Sequence, residues 1–294
     1  MIPAAIVTAI VERLTRELAR PRRRYRPLRV GRNIAGWIDD ARALRLGAFA
    51  DVFEVQDDAI VLTPGLDDAA AATTALDRVA RALAAEGRLT AWRDERYAVV
   101  PSFGAPPLFL LERAAARYFG VHTYAAHVNG LVRRDEDVAM WIARRSPTKA
   151  IDPGLLDNLV GGGIAAGQEI ATTVVKEAWE EAGIAESLAR QACLAGSVDI
   201  CREQPDGLQR ETIFVHDLWL PAASVPAGQD GEVVGHRLVS LPEAARLIAN
   251  ASGPDVVTAD ASLVVVDCLL RQGAIDPDAP GYAALAALGR VPEG

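Results

Sequence analysis

Residues 162–184 read GGIAAGQEIATTVVKEAWEEAGI, a glycine-rich turn running into a helix. The last turns of that helix hold Lys176-Glu177-x-x-Glu180-Glu181-x-Gly183. Side chains three and four apart share a helix face. Glu177, Glu180 and Glu181 therefore form one acidic patch, and carboxylates this close repel one another unless positive charge sits among them. Oxygen-only ligands suit hard cations such as Mg²⁺ or Mn²⁺. Glycine before the helix lets backbone approach a ligand, and Gly183 reads as the C-cap. The competing reading is a solvated acidic face beside Lys176, and spacing alone leaves both open.

The stretch resembles the signature of the Nudix hydrolases: glycine, five residues, Glu, seven residues, then Arg-Glu-apolar-x-Glu-Glu-x-Gly-apolar. Gly162, Glu177, Ala178, Glu180, Glu181, Gly183 and Ile184 fall on it without a gap. Gln168 stands where the first Glu belongs, and Lys176 replaces the Arg. Lysine keeps the charge but loses the bidentate fork. The resemblance implies a Nudix α/β/α sandwich with a mixed sheet, preceded by a smaller α+β domain. The expected boundary gives residues 1–120 to the N-terminal domain and 121–294 to the Nudix domain.

Further blocks occur in order: Trp92-Arg-Asp-Glu-Arg-Tyr, Glu112-Arg-Ala-Ala-Ala-Arg-Tyr-Phe-Gly, His127-Val-Asn-Gly, Trp141-Ile-Ala-Arg-Arg-Ser, Leu156-Asp-Asn and Asp230-Gly-Glu-Val. They resemble the Nudix subgroup related to the one fused to fungal thiamine pyrophosphokinases. That subgroup implies a Mg²⁺-dependent diphosphatase acting on thiamine diphosphate or its oxidised and analogue forms. The Phe-Lys-Pro-Asn-like stretch expected near residue 250 is replaced by Asn250-Ala-Ser-Gly-Pro. By resemblance, Glu177, Glu180 and Glu181 hold Mg²⁺ (or Mn²⁺), with backbone near Gly162 completing the shell. Glu177, Glu180 and Glu232 are the expected catalytic carboxylates, Glu232 being a candidate proton acceptor on a later loop.

Arg144, Arg145 and Lys149 lie just upstream of the box. Arginine suits bidentate phosphate contact and lysine acts as a point charge. His127 and Asn129 share one face of a strand, so they are a candidate ligand-facing pair. Trp37, Trp92 and Trp141 are core residues or stacking platforms. Other Nudix substrates, such as ADP-ribose, remain an alternative, as does a catalytically silent binding module. An isopentenyl diphosphate isomerase would need a cysteine where Leu159-Val160-Gly161 stands.

The chain has 294 residues and a net charge of −8, which disfavours nucleic-acid binding. It holds no apolar run long enough to span a membrane. Three cysteines without metal spacing suit a reducing cytoplasm. The expected partner is a small-molecule diphosphate. The N-terminal domain is expected to serve either the substrate pocket or a homodimer contact. Local patterns predict an amphipathic helix over the first 18 residues and a strand or hairpin over 28–38. They also predict an alanine-rich helix capped by Asp67 and a helix over 108–119 opened by Pro106 or Pro107. Strands follow over 121–132, 138–144, 193–200, 212–220 and 232–241, with a final helix over 257–271. The basic run Arg20–Arg26 reads as a solvated linker or an anion contact.

Overall fold

The computed structural model describes residues 1–290. Helix α1 (Ala4–Glu17) is amphipathic, as its sequence predicts. Its apolar face is not used by the domain that follows it. Val7, Ile10 and Leu14 are buried among residues of the C-terminal half, including Leu247, Ile248 and Leu269. Arg13, on the same face, donates to the carbonyl of Ile248 at 2.8 Å and is neutralised by Glu17 at 2.8 Å. The N-terminal region expected over 1–120 thus gives its first helix to the other core.

The chain then forms β1 (Tyr25–Val30), β2 (Asn33–Asp39), α2 (Asp40–Leu46), β3 (Phe53–Val55), β4 (Ile60–Leu62) and α3 (Ala69–Ala85). The four strands order as β2-β1-β4-β3, with β1 and β4 parallel. Leu76, Val79 and Leu83 of α3 are buried against this sheet with Leu28, Ile38 and Ile60. The cap is Asp68, which accepts from the amide of Ala71, rather than Asp67. The run Arg20–Arg26 is a tied linker that enters β1 at Tyr25. The amides of Arg22 and Arg23 donate to Glu203, and the Arg26 side chain pairs with Asp40.

The helix expected over 108–119 forms only in its last turn. β5 (Arg96–Val99) pairs with β6 (Phe109–Glu112), so that Tyr97 lies opposite Leu111 and Val99 opposite Phe109. Phe109 and Leu111 alternate into the core with the period of a strand, and the amide of Leu110 finds Thr73 Oγ1 at 2.9 Å. A 3₁₀ turn (Arg113–Ala115) and α4 (Ala116–Phe119) follow, closed by Gly120 at φ 56°. A side chain on Gly120 would strike the backbone of Trp37.

The second half comprises β7 (His122–Arg134), β8 (Asp137–Arg145), β9 (Leu156–Asp157), β10 (Val160–Gly163), α5 (Ile170–Ala182), α6 (Glu186–Ala189), β11 (Cys193–Gln204), β12 (Gly207–Trp219), β13 (Val233–Ser240), α7 (Leu241–Ala249), α8 (Ala259–Arg271) and α9 (Tyr282–Ala287). Its mixed sheet runs β11-β12-β7-β8-β13, with β10 added on β7 and β9 on β8; the β7–β12 pair is parallel. Side chains alternate across it. Ala126, Val128 and Leu218 meet Val174, Ala178 and Ala182 of α5 on one face. Leu131, Ile142, Ile213 and Val215 meet α1, α7 and α8 on the other. This is the expected α/β/α sandwich. The expected closing helix starts at Ala259 behind a Thr258 cap, and α9 follows it.

Leu14 is fully buried 14 residues into the chain, between elements near the other end. Leu14→Ala should cost about 2–5 kcal/mol of stability. Thermal unfolding should show the loss in the transition of the sandwich half.

Candidate active site

Strand β10 sets the site. It runs antiparallel to β7, with Gly161 opposite His127 and Gly162 opposite Ala126. Its glycines leave bare backbone on which other side chains rest. A Cβ on Gly162 would overlap the carboxyl end of Glu177, and one on Gly163 would overlap the phenol of Tyr97 from the N-terminal domain. After the turn at Ala165–Gly167, α5 buries Val174, Ala178 and Ala182 and ends at Gly183 in the left-handed conformation. That register turns Glu177, Glu180 and Glu181 toward one cleft of about 350 Å³.

Within the cleft the carboxylates do not form one cluster. Two ammonium groups divide them. Lys176 Nζ sits between Glu177 at 2.9 Å and Glu180 at 3.0 Å. Lys149 Nζ sits between Glu181 at 3.0 Å and Glu232 at 2.7 Å. Glu181 also accepts from the amide of Gly161 at 2.9 Å. Among the described residues, no three His, Cys, Asp or Glu side chains converge as a ready-made cation shell. Each carboxylate pair does converge on a single positive point, filled here by an ammonium. Hard oxygen donors around such points fit a divalent cation, which Glu177, Glu180 and Glu181 could hold once the ammonium groups move aside.

Burial pushes the Glu181 carboxyl up to about 7, against the opposing pull of Lys149. Burial also raises Glu177, despite Lys176. Glu232 is different. Burial would raise it, but hydrogen bonds from Lys149 and Arg93 hold it at about 2.

A second space of about 160 Å³ opens past Gly161 and Gly162. The N-terminal domain contributes Tyr97, Arg113 and Arg117 to its wall; the sandwich contributes His127, Asp157, Gln209, Glu211 and Asp260. Gln209 donates to Glu211 at 3.1 Å and to Asp260 at 2.9 Å. Although burial opposes ionisation of Asp260, Arg202 and the Gln209 amide hold its carboxyl down. Burial and the Asp260 charge push Glu211 up.

The sequence-derived residues divide on this geometry. Glu177, Glu180, Glu181, Gly162, Lys149, Arg145 and Glu232 line the cleft together. His127 lines the chamber, with its Nδ1 2.8 Å from Asn158 Oδ1. Asn129 is buried behind it, donating to Asp217 at 3.0 Å, and lines neither space. Arg144 turns away, donating to the carbonyls of Gly154 and Pro254 and pairing with Asp255. Gln168 stays on its own helix start, accepting from Thr173 at 3.3 Å. None of the three tryptophans lines either space. Arg93, Tyr97, Arg113, Glu211 and Asp260 had no assigned role in the sequence. Arg93, Tyr97 and Arg113 do lie inside the Trp92 and Glu112 blocks, and that was the available signal.

Comparison with known proteins matches the NUDIX domain model to residues 123–260 and the model Domain of unknown function (DUF4743) to residues 7–123. Nudix hydrolase 24, chloroplastic, of Arabidopsis thaliana is 38% identical over 258 residues, covering 87% of this chain and 70% of that protein. The chain belongs to the Nudix family. It is a Nudix hydrolase, an enzyme acting on pyrophosphate bonds. Nudix hydrolase 20, chloroplastic, of the same plant is 41% identical over 204 residues; these cover 69% of this chain and 54% of that protein. The Nudix domain of Shewanella oneidensis NrtR, solved with ADP ribose, is 12% identical with a TM-score of 0.41, covering 52% of this chain and 90% of that one. No helix among the described residues is long and apolar enough to cross a membrane.

Glu181 makes the stability of the metal-free Nudix protein pH-dependent. Its folded carboxyl titrates at about 7, above the 4.5 of a free Glu, so the folded state holds the proton more tightly. That stabilisation is present below about pH 4.5 and is lost as pH rises through about 7. Melting temperature should fall from about pH 5 to pH 8 without metal, and Glu181→Gln should flatten the slope.

Proposed function

We propose that this chain hydrolyses a diphosphate ester to a monophosphate and phosphate, with thiamine diphosphate or its oxidised and analogue forms as substrate. The observation that carries this reading is the pairing of two spaces. A carboxylate cleft suited to a hard cation adjoins a chamber lined by Asp157, Glu211 and Asp260 beside Arg113, Arg117 and Arg210, and the two share Gly161, Gly162, Arg113 and Arg145. A diphosphate in the cleft would place its organic group in that chamber. Glu211 and Asp260, joined by Gln209, offer hydrogen-bond acceptors to a ring bearing amino donors. The resemblance of the Trp92, Glu112 and Asp230 blocks supports the same substrate class.

Hydrolysis needs water to attack one phosphorus while the bridging P–O bond breaks and a proton leaves the water. Bound Mg²⁺ or Mn²⁺, held by Glu177, Glu180 and Glu181, supplies neutralisation of the phosphate oxygens and acidification of water. The remaining work falls to the chain. Glu177, whose carboxyl burial raises above the usual carboxylate range, is suited to take a proton from water. Glu232, held at about 2, is a poor proton acceptor; in this reading it positions Lys149 instead. Lys149 and Lys176 would yield part of the carboxylate edge to the cation while keeping a carboxylate partner each. Free cysteines at 193, 201 and 268 support a reducing compartment such as the cytoplasm.

Glu177→Gln should lower kcat by on the order of 10²–10⁴ without unfolding the protein. The decisive assay is phosphate release with Mg²⁺ from thiamine diphosphate, oxythiamine diphosphate, ADP-ribose and isopentenyl diphosphate. Preferential conversion of the thiamine compounds to monophosphates is expected. Turnover of ADP-ribose alone would remove the thiamine assignment, and no turnover would indicate a silent binding module.

A further inference from the structure

A diphosphate entering a cleft that already holds Glu177, Glu180, Glu181 and Glu232 needs cationic groups that are not spoken for. Most of those present are. Arg145 spends every donor nitrogen inside the protein: Nε on the carbonyl of Asp152, Nη2 on that of Ile151 and Nη1 on Asp157 at 2.6 Å. Arg144 faces away from the cleft, and Arg93 pairs with Glu232 at 3.0 Å. Lys149 and Lys176 each bridge two carboxylates.

Arg93 and Arg113 are less committed, each giving a single side-chain nitrogen to a carboxylate, and of the two Arg113 alone lines both the cleft and the inner chamber. It stands in the 3₁₀ turn after β6, in the N-terminal domain. Its Nη1 donates to Glu95 at 2.7 Å, and its amide donates to the carbonyl of Glu95 at 2.8 Å. The guanidinium carbon lies 5.7 Å from the centre of the Tyr97 ring. The head group is therefore oriented from two sides. Among the described residues, Nε and Nη2 donate to no protein atom. Those two nitrogens form one edge of the guanidinium, with parallel N–H bonds that match two phosphate oxygens. The side chain is 37% exposed, and it lines both the carboxylate cleft and the inner chamber.

We propose that Arg113, supplied by the N-terminal domain, binds the substrate's diphosphate at the junction between cleft and chamber. The identity of the ligand rests on the hydrolase reading above. Glu95 and Tyr97 act as positioning residues that present the free edge. Arg145, the sandwich arginine that lines the cleft, is committed to Asp157 and loop carbonyls, so the preceding domain adds a guanidinium edge that the sandwich's side of the cleft lacks.

Calorimetric titration of the intact chain with imidodiphosphate in Mg²⁺ tests this without turnover. Arg113→Met should weaken binding about 10- to 100-fold, the loss expected for a charge-assisted pair. KM for whichever diphosphate is hydrolysed should rise by a similar factor, with kcat changed less. Arg113→Lys should recover part of the loss, since it keeps charge without the fork. Arg113→Gln, which retains a donor toward Glu95, serves if the methionine variant fails to fold. Unchanged imidodiphosphate affinity in a folded variant would overturn the assignment, as would failure of the unmodified chain to bind imidodiphosphate. Arg113-dependent binding without hydrolysis of any diphosphate would remove the hydrolase reading and leave Arg113 in place.

Discussion

Lys149 reaches Glu181 and Glu232 at once, from a loop with no regular secondary structure of its own. A single ammonium can do this only if the three groups around it are fixed independently. Arg145 fixes the loop by gathering the carbonyls of Ile151 and Asp152. The amide of Gly161 fixes Glu181. Arg93, from the other domain, fixes Glu232. Each of these side chains is thereby committed, and the commitments decide which groups remain to meet a ligand. A buried carboxylate without such partners would be costly to keep ionised. The arginines next to the signature therefore serve the site's shape before they serve its substrate.

The second constraint is bare backbone. Three successive glycines in β10 let Glu177 and Tyr97 rest on the strand at positions where any other residue would hold them off. One of these side chains belongs to the signature helix and the other to the N-terminal domain. The glycine strand is thus where the two halves of the molecule meet over the chemistry.

Much of this could be read from the residues, because the signature combines a helical period with glycines at fixed places. The shared face of Glu177, Glu180 and Glu181, the Gly183 cap and the flanking strands follow from local periodicity. What escaped depended on distant partners. Arg144 and Arg145 are adjacent and chemically identical, and only tertiary packing sends one to Asp255 and the other to Asp157. His127 and Asn129 share a strand face, yet Asn158 and Asp217 draw Asn129 into a buried network. The strand at Phe109–Glu112 was masked by a proline pair that could equally open a helix. Arg113 lies in the Glu112 block, but its free edge is visible only once the donors around it are accounted for.

Helix α1 has consequences for how the chain is assembled. Arg13 hydrogen-bonds to Ile248, 235 residues later, and the helix's apolar face closes a core built from α7 and α8. A 14-residue helix is marginal by itself in water. During synthesis it emerges before the N-terminal domain, and the surface that receives it emerges after that domain. Until then, Val7, Ile10 and Leu14 are an exposed apolar stripe. The sandwich half completes its core only after the N-terminal domain has been made, so closure of the second core comes late in folding. The same stitch ties the order of the two domains to one polypeptide: separated into two chains, the halves would have to recover by collision what the linker at Arg20–Arg26 now provides by tethering.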